Sequence, residues 1–172
     1  MFLNYIKEFI TKKNVKSNLS NVKLTSNDIK IKTVGVVFDE SYFHDKEQLV
    51  LELVQHGIAE NNISILVFKN KINKKDVFEY PVYTYHDLTW FGSVEKKEVK
   101  EFIKEPFDLL ISYYDTEKAA LLLISQLSKA SFKVGFSSVD HRLNHFMIDT
   151  NSENYKVFIE ELFKYLRILN KI

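Results

Sequence analysis

Phe107-Asp108-Leu109-Leu110-Ile111-Ser112-Tyr113-Tyr114, then Asp115, an apolar stretch from Thr116 to Ala130, and Phe132-Lys133-Val134-Gly135-Phe136 read as strand, helix and strand. Both strand-like runs are close to continuously apolar, so each needs cover on its two faces, and a helix between them supplies it. The unit implies a parallel α/β sheet. The helical stretch is apolar at Ala119, Ala120, Leu121, Leu122, Leu123, Ile124 and Leu127. That is wider than one helical face and predicts a helix buried against the sheet and a further neighbour.

Upstream, Ile29 to Phe38 carries Ile31, Val34, Val36 and Val37 and ends at Asp39-Glu40-Ser41; it is the expected first, central strand. Leu49, Val50, Leu53, Val54 and Ile58 recur at helical spacing, with Gly57 and Asn61-Asn62 marking the end. Ile63 to Phe68 is the second strand and Lys69 to Glu79 a charged turn. Pro81 to Tyr85 is a short edge strand, where proline is tolerated. Glu95 to Glu105 predicts a helix with Val99, Phe102 and Ile103 inward. Downstream, Phe146-Met147-Ile148-Asp149 is a last strand, and Tyr155, Phe158, Ile159, Leu162, Phe163, Leu166 and Leu169 are the core stripe of a final helix capped by Asn151 or Ser152.

At the N-terminus Phe2, Leu3, Ile6, Phe9 and Ile10 share one face of a short amphipathic helix, opposite Lys7, Lys12 and Lys13. Polar Asn14 to Asp28 reads as a connector. The expected organisation is therefore the helix and connector over residues 1–28, then one Rossmann-like three-layer α/β domain with a mostly parallel sheet over residues 29–172.

A chain of 172 residues can bury roughly two thirds of its unfolded surface around one core. It contains no cysteine, which excludes disulfides, thiolate metal sites and a cysteine nucleophile. No apolar run approaches the roughly 20 residues that cross a bilayer. Lys7 and Glu8 interrupt what would be a signal-peptide core, so a cytoplasmic address is expected. The net charge of +1 is unevenly spread: residues 1–32 hold seven Lys against Glu8 and Asp28, giving +5 there and −4 elsewhere. Such a basic arm is compatible with nucleic acid or an anionic membrane surface, although solvated lysines around a surface helix are the commoner use of this composition.

In open α/β sheets ligands bind outside the carboxyl ends of the strands, near the reversal of strand order. This rule selects Asp39, Glu40 and Ser41 after the first strand, Asp115 and Thr116 after the Tyr-Tyr strand, and Ser137 and Ser138 after Gly135-Phe136. Asp39 and Asp115 on adjacent strands form a conceivable carboxylate pair for acid/base work or metal; helix capping is the more frequent role of Asp and Ser there. The densest polar cluster is Ser137 to His145. If helical, it aligns His141 and His145 at i, i+4 with Asp140 beside them, as a metal or phosphate site would need; a solvated loop, with Arg142 anchoring it to a carboxylate, is the commoner reading. No glutamate follows His141 as a metalloprotease base would. Gly35 lies inside a strand with no glycine before Gly57, so neither the dinucleotide nor the triphosphate loop can be assembled. No Gly-x-Ser-x-Gly elbow occurs either. Tyr83, Tyr85, His86, Trp90 and Phe91 form an aromatic run suited to covering a sheet edge or to meeting a partner.

The segment 107–136, with Phe107-Asp108-Leu109-Leu110-Ile111, Ala119-Ala120-Leu121-Leu122 and Lys133-Val134-Gly135-Phe136, is similar to the corresponding unit in the N-terminal Rossmann-like domain of bacterial heptosyltransferases. That resemblance implies half of a two-domain glycosyltransferase. The family's glycine-containing loop after the first strand is replaced by Asp39-Glu40-Ser41-Tyr42-Phe43, and no second, sugar-nucleotide domain accompanies it here, so no catalytic residue carries over. Over nearly its whole length the chain resembles an uncharacterised family of small bacterial α/β proteins of Bacteroidota type. The residues that carry this are Phe107 to Ser112, Ser131 to Phe136 and Phe146 to Asp149. It implies a fold and no activity.

The functional expectation is a non-catalytic domain that binds a protein partner through Phe2, Ile6 and Phe9 of the helix and Trp90 and Phe91 of the aromatic loop. No cofactor or metal is expected, nor a transmembrane segment; peripheral membrane contact stays open. The alternative is a small-molecule or phosphometabolite site, or an enzyme, in the strand-end crevice built from Asp39, Glu40, Ser41, Asp115, Thr116, Ser137, Asp140, His141, Arg142 and His145. Nucleic-acid or ribosome contact through the basic arm is the third and least expected role.

Overall fold

The structure is a computed structural model that describes residues 2–23, 29–73, 75–89 and 92–172, with side chains from Tyr5 onward within them. Among the described residues six strands, β1 (Val34–Asp39), β2 (Ile63–Phe68), β3 (Val82–Tyr83), β4 (Leu109–Tyr113), β5 (Phe132–Phe136) and β6 (Phe146–Ile148), form one parallel sheet in the order β3-β2-β1-β4-β5-β6. The helices are α1 (Phe2–Asn18), α2 (Lys46–Gln55), α3 (Lys97–Lys104), α4 (Ala119–Leu127) and α5 (Tyr155–Ile168). β1 is central, in register with β2 from Val34 opposite Ile63 to Asp39 opposite Phe68, and with β4 up to Phe38 opposite Tyr113. Among the described residues no helix is long and apolar enough to cross a membrane.

β1 begins at Val34 rather than Ile29, and the reason is a side chain. Asp108 Oδ2 accepts the N–H groups of Lys32 and Thr33, both at 2.9 Å, and the Thr33 hydroxyl at 3.1 Å, while the Ile31 N–H donates to the Lys171 carbonyl at 2.8 Å. These bonds satisfy the lead-in backbone outside the ladder. Gly35 has a different purpose: a Cβ there would meet the Phe107 ring at 2.6 Å, so only glycine lets that ring lie against β1.

Alternation along the strands divides the interior in two. Val34, Val36 and Phe38 join Leu49 and Leu53 of α2 and Phe158, Ile159, Leu162, Phe163 and Leu166 of α5 on one face. Tyr113 is the hub of that core, with ring centroids 5.6 Å from Phe38, 4.7 Å from Phe43 and 5.1 Å from both Phe136 and Phe158. On the other face Val37, Leu66 and Leu110 meet α3 and α4.

α4 is buried from Ala119 through Ser125 because α1 lies across its outer side with Thr11 and Val15 inward. The second neighbour implied by its width is thus the N-terminal helix. α1 extends through Asn18, so residues 14–18 are helical rather than connector.

Lys133 is a charged residue inside an apolar strand. Its ammonium donates to the Ser125 carbonyl at 2.7 Å, at the end of α4 where carbonyls lack helical partners and cations are favoured. Burial, and then nearby Lys129, push its pKa down from 10.5 to about 8. Between those values the unfolded chain binds more protons than the folded one, so stability rises as pH rises through that window. The gain is on the order of 3 kcal/mol. Urea melts from pH 7.5 to 10.5 should show it, and Lys133→Met should flatten that part of the profile. Burial raises the pKa of Tyr83, Tyr85, Tyr113 and Tyr114, which lowers stability toward the top of that range, so the readout is the difference between the two proteins, and parallel profiles would refute the assignment.

Candidate functional site

Strand order reverses between β1 and β4, which places the topological crevice beyond Asp39 and Tyr113. Successive residues at the end of β1 point to opposite faces, and each of its two carboxylates meets a different set of lysines.

Asp39 is 2% exposed and Lys118, the residue before α4, is 8% exposed. Their Oδ2 and Nζ atoms are 2.7 Å apart, while Asp39 Oδ1 accepts the Ser41 N–H at 3.0 Å. Beyond this ion pair neither Asp39 Oδ2 nor Lys118 Nζ makes a hydrogen bond, so a carboxylate lone pair and ammonium N–H groups stay unspent. The rings of Tyr42 and Phe68 lie 4.6 and 5.1 Å from the ammonium, within cation–π range. The buried Tyr85 hydroxyl also lacks a hydrogen-bond partner. Burial, then Glu8 of α1 and Asp39, raise its pKa far above the ordinary phenol range; Glu8 lies beside it without reaching hydrogen-bond geometry. One helical turn beyond Glu8, the buried Thr11 hydroxyl is likewise unpaired.

On the opposite face Glu40 stands between Lys46 and Lys69, each 3.2 Å from one of its oxygens, and Lys46 also reaches Glu47 at 3.2 Å. Burial alone would raise the Glu40 carboxyl, but hydrogen bonds from Lys69 and Lys46 reverse this and hold it below the usual carboxylate range. Beside this triad opens a cavity of about 370 Å³, walled by Val67 and Val82 and by residues 76–80 of the segment joining β2 to β3, Phe78 and Tyr80 among them. Lys69 lies over the Phe78 ring at 5.0 Å.

The other expected residues make contacts of their own. Asp115 Oδ2 accepts the Ser152 N–H at 2.8 Å, its Oδ1 lies 3.4 Å from the Thr116 hydroxyl, and its carbonyl accepts from Ser138 at 2.8 Å. Asp39 and Asp115 therefore have separate partners. Ser137 donates to Asp149 at 2.8 Å. Arg142 grips Asp140 through Nε at 2.9 Å and Nη2 at 2.7 Å, and this fork holds the Asp140 carboxyl down at about 2. The polar cluster is not helical: His141 opens a 3₁₀ turn and His145 precedes β6, so the two histidines do not share a helix face. His145 Nδ1 accepts the Lys133 N–H at 2.9 Å and its ring stacks on Phe132; its pKa is lowered, chiefly by burial. Among the described residues no group of three or more His, Asp and Glu is placed to hold a metal.

Trp90, Phe91 and the Phe2 side chain lie outside the described residues. Ile6 is half-buried, and Phe9 and Tyr5 are 70% and 69% exposed. Lys16 and Lys12 of the basic arm pair with Glu117 at 2.6 and 3.4 Å, so part of that charge is spent within the chain. Sequence reading missed Lys118, Lys46 and Lys69. Lys118 did carry a signal, as the last charge before nine uncharged helical residues.

Residues 7–169 match the model of a protein family described as a family of unknown function (DUF6913). No curated protein and no solved structure matches the chain.

Proposed function

The chain belongs to that family, whose description names no activity, and we propose that it is a small-molecule-binding domain whose ligand occupies the cavity beside Glu40. The observation that carries this reading is the cavity's place and make-up. It lies outside the carboxyl ends of β1 and β2, against the start of β3, its volume of about 370 Å³ suits a metabolite, and Phe78 and Tyr80 supply apolar wall next to Lys46 and Lys69. Glu40 holds both ammonium groups at the rim, where they meet an anionic group such as a phosphate or carboxylate. A thermal-shift screen with nucleotides, sugar phosphates and carboxylates tests it. A ligand at a hundred times its dissociation constant adds about 2.7 kcal/mol of stability, and Lys69→Met combined with Lys46→Met should remove that shift. A flat screen, or a shift unchanged in the double variant, would overturn the reading.

A second reading, a protein partner on α1, is favoured by one observation. The helix is anchored through Thr11 and Val15, which leaves Tyr5, Phe9 and Ile10 exposed at 69%, 70% and 37%. If this stripe meets a partner, Tyr5→Ser with Phe9→Ser should preserve the melting temperature and release a co-purifying protein. Unchanged co-purification counts against it.

A further inference from the structure

We propose that the α4-facing side of the crevice is a second binding site, separate from the Glu40 cavity, which takes the vicinal diol of an uncharged sugar ring between Asp39, Lys118 and Tyr42. Asp39 Oδ2 is an acceptor and Lys118 Nζ a donor; both are buried and ion-paired at 2.7 Å, and beyond that pair neither makes a hydrogen bond. A buried ion pair repays its desolvation in full only when its remaining lone pair and N–H groups are also hydrogen-bonded, and a ligand that supplies those bonds recovers the difference. Two hydroxyls on adjacent ring carbons match the pair: one donates to Asp39 Oδ2 and the other accepts from Lys118 Nζ. The Tyr85 ring packs on the same Phe68 ring that Lys118 faces, and its unpaired hydroxyl offers a further contact.

Charge selects against other ligands. Asp39 and Lys118 neutralise each other, and Glu8 adds a negative charge beside Tyr85. An anion entering here would face two carboxylates, and a cation would compete with Lys118 for Asp39. An uncharged diol disturbs neither. Tyr42 supplies the remaining element: its ring covers Lys118 at 4.6 Å yet is 59% exposed. It sits on the turn leaving β1, so rotation of this one side chain admits the ligand and offers a flat face to the C–H side of the sugar.

The diol can come from a free monosaccharide or from the ribose of a nucleoside, and titration calorimetry of the full chain separates the two. The probes are D-ribose, D-glucose, adenosine and 2′,3′-dideoxyadenosine, with inorganic phosphate for comparison. At least one diol should saturate while the dideoxynucleoside does not. Tyr42→Ala, at the surface and therefore tolerated by the fold, should weaken binding about tenfold. The double variant Asp39→Asn with Lys118→Met, which removes both charges together, should abolish it, whereas Lys69→Met should leave it unchanged. No saturation by any diol would overturn the assignment. So would binding that survives the double variant, or phosphate binding in place of the diols.

Discussion

Lys118→Met alone should destabilise the protein by about 3–5 kcal/mol in urea melts, because it leaves a buried carboxylate without its counter-charge. Asp39 is 2% exposed, and besides its ion pair with Lys118 its carboxylate accepts the Ser41 N–H on Oδ1. Asp39→Asn keeps that acceptor while removing the charge. In the double variant the uncompensated charge is gone, so most of the loss should return, and the coupling between the two sites should be well above the few tenths of a kcal/mol seen for independent positions. Additive losses would show that the 2.7 Å pair contributes no mutual stabilisation. A Lys118→Met melt within about 0.5 kcal/mol of wild type, the range of ordinary surface substitutions, would mean that the ammonium is solvated.

Val15→Asp should cost about 3–5 kcal/mol, since it places an unpaired charge between α1 and α4. Val15 is 3% exposed and belongs to the same core as Leu121, Leu122 and Leu123. Phe9→Ser, six residues earlier on the outward face, should change stability by no more than about 0.5 kcal/mol despite removing a larger apolar group. Equal losses in the two variants would show that the helix docks through the wrong face. Removing residues 1–28 outright would uncover α4, whose first seven residues are all buried, and the truncated chain should aggregate. Surface substitutions on α1 are therefore the cleaner probe of a partner.

The sheet was legible because parallel strands covered on both faces must be apolar nearly throughout, and Leu109 to Tyr113 and Phe132 to Phe136 are buried at every position. Secondary structure near Ser137 to His145 was less legible. Its residue types suit a helix as well as a loop, and the choice depended on Arg142 closing onto Asp140 and on His145 accepting the Lys133 N–H. At α1 the apolar periodicity was real, but its orientation could not follow from it. The apolar residues Tyr5, Phe9 and Ile10 face outward, while Thr11 and Val15 face inward, since contact with α4 is anchored by Lys12 and Lys16 on Glu117 as well as by apolar burial.

The candidate site shows the same division. Asp39, Glu40 and Ser41 were selected from the sequence because a strand end in an α/β sheet is a definite place along the chain. Their lysines were not, because Lys46, Lys69 and Lys118 are separated from Asp39 and Glu40 by intervening helix, strand or loop and read as ordinary solvated charges. The sequence by itself determined that this is a parallel α/β domain with a central first strand, through local periodicity and the apolar content that two-sided burial requires. Only the tertiary structure decided which face of α1 docks, that α4 is enclosed, and which lysine meets which carboxylate, because pairing depends on the three-dimensional path of the connections and on desolvation, neither of which leaves a periodic trace in the chain.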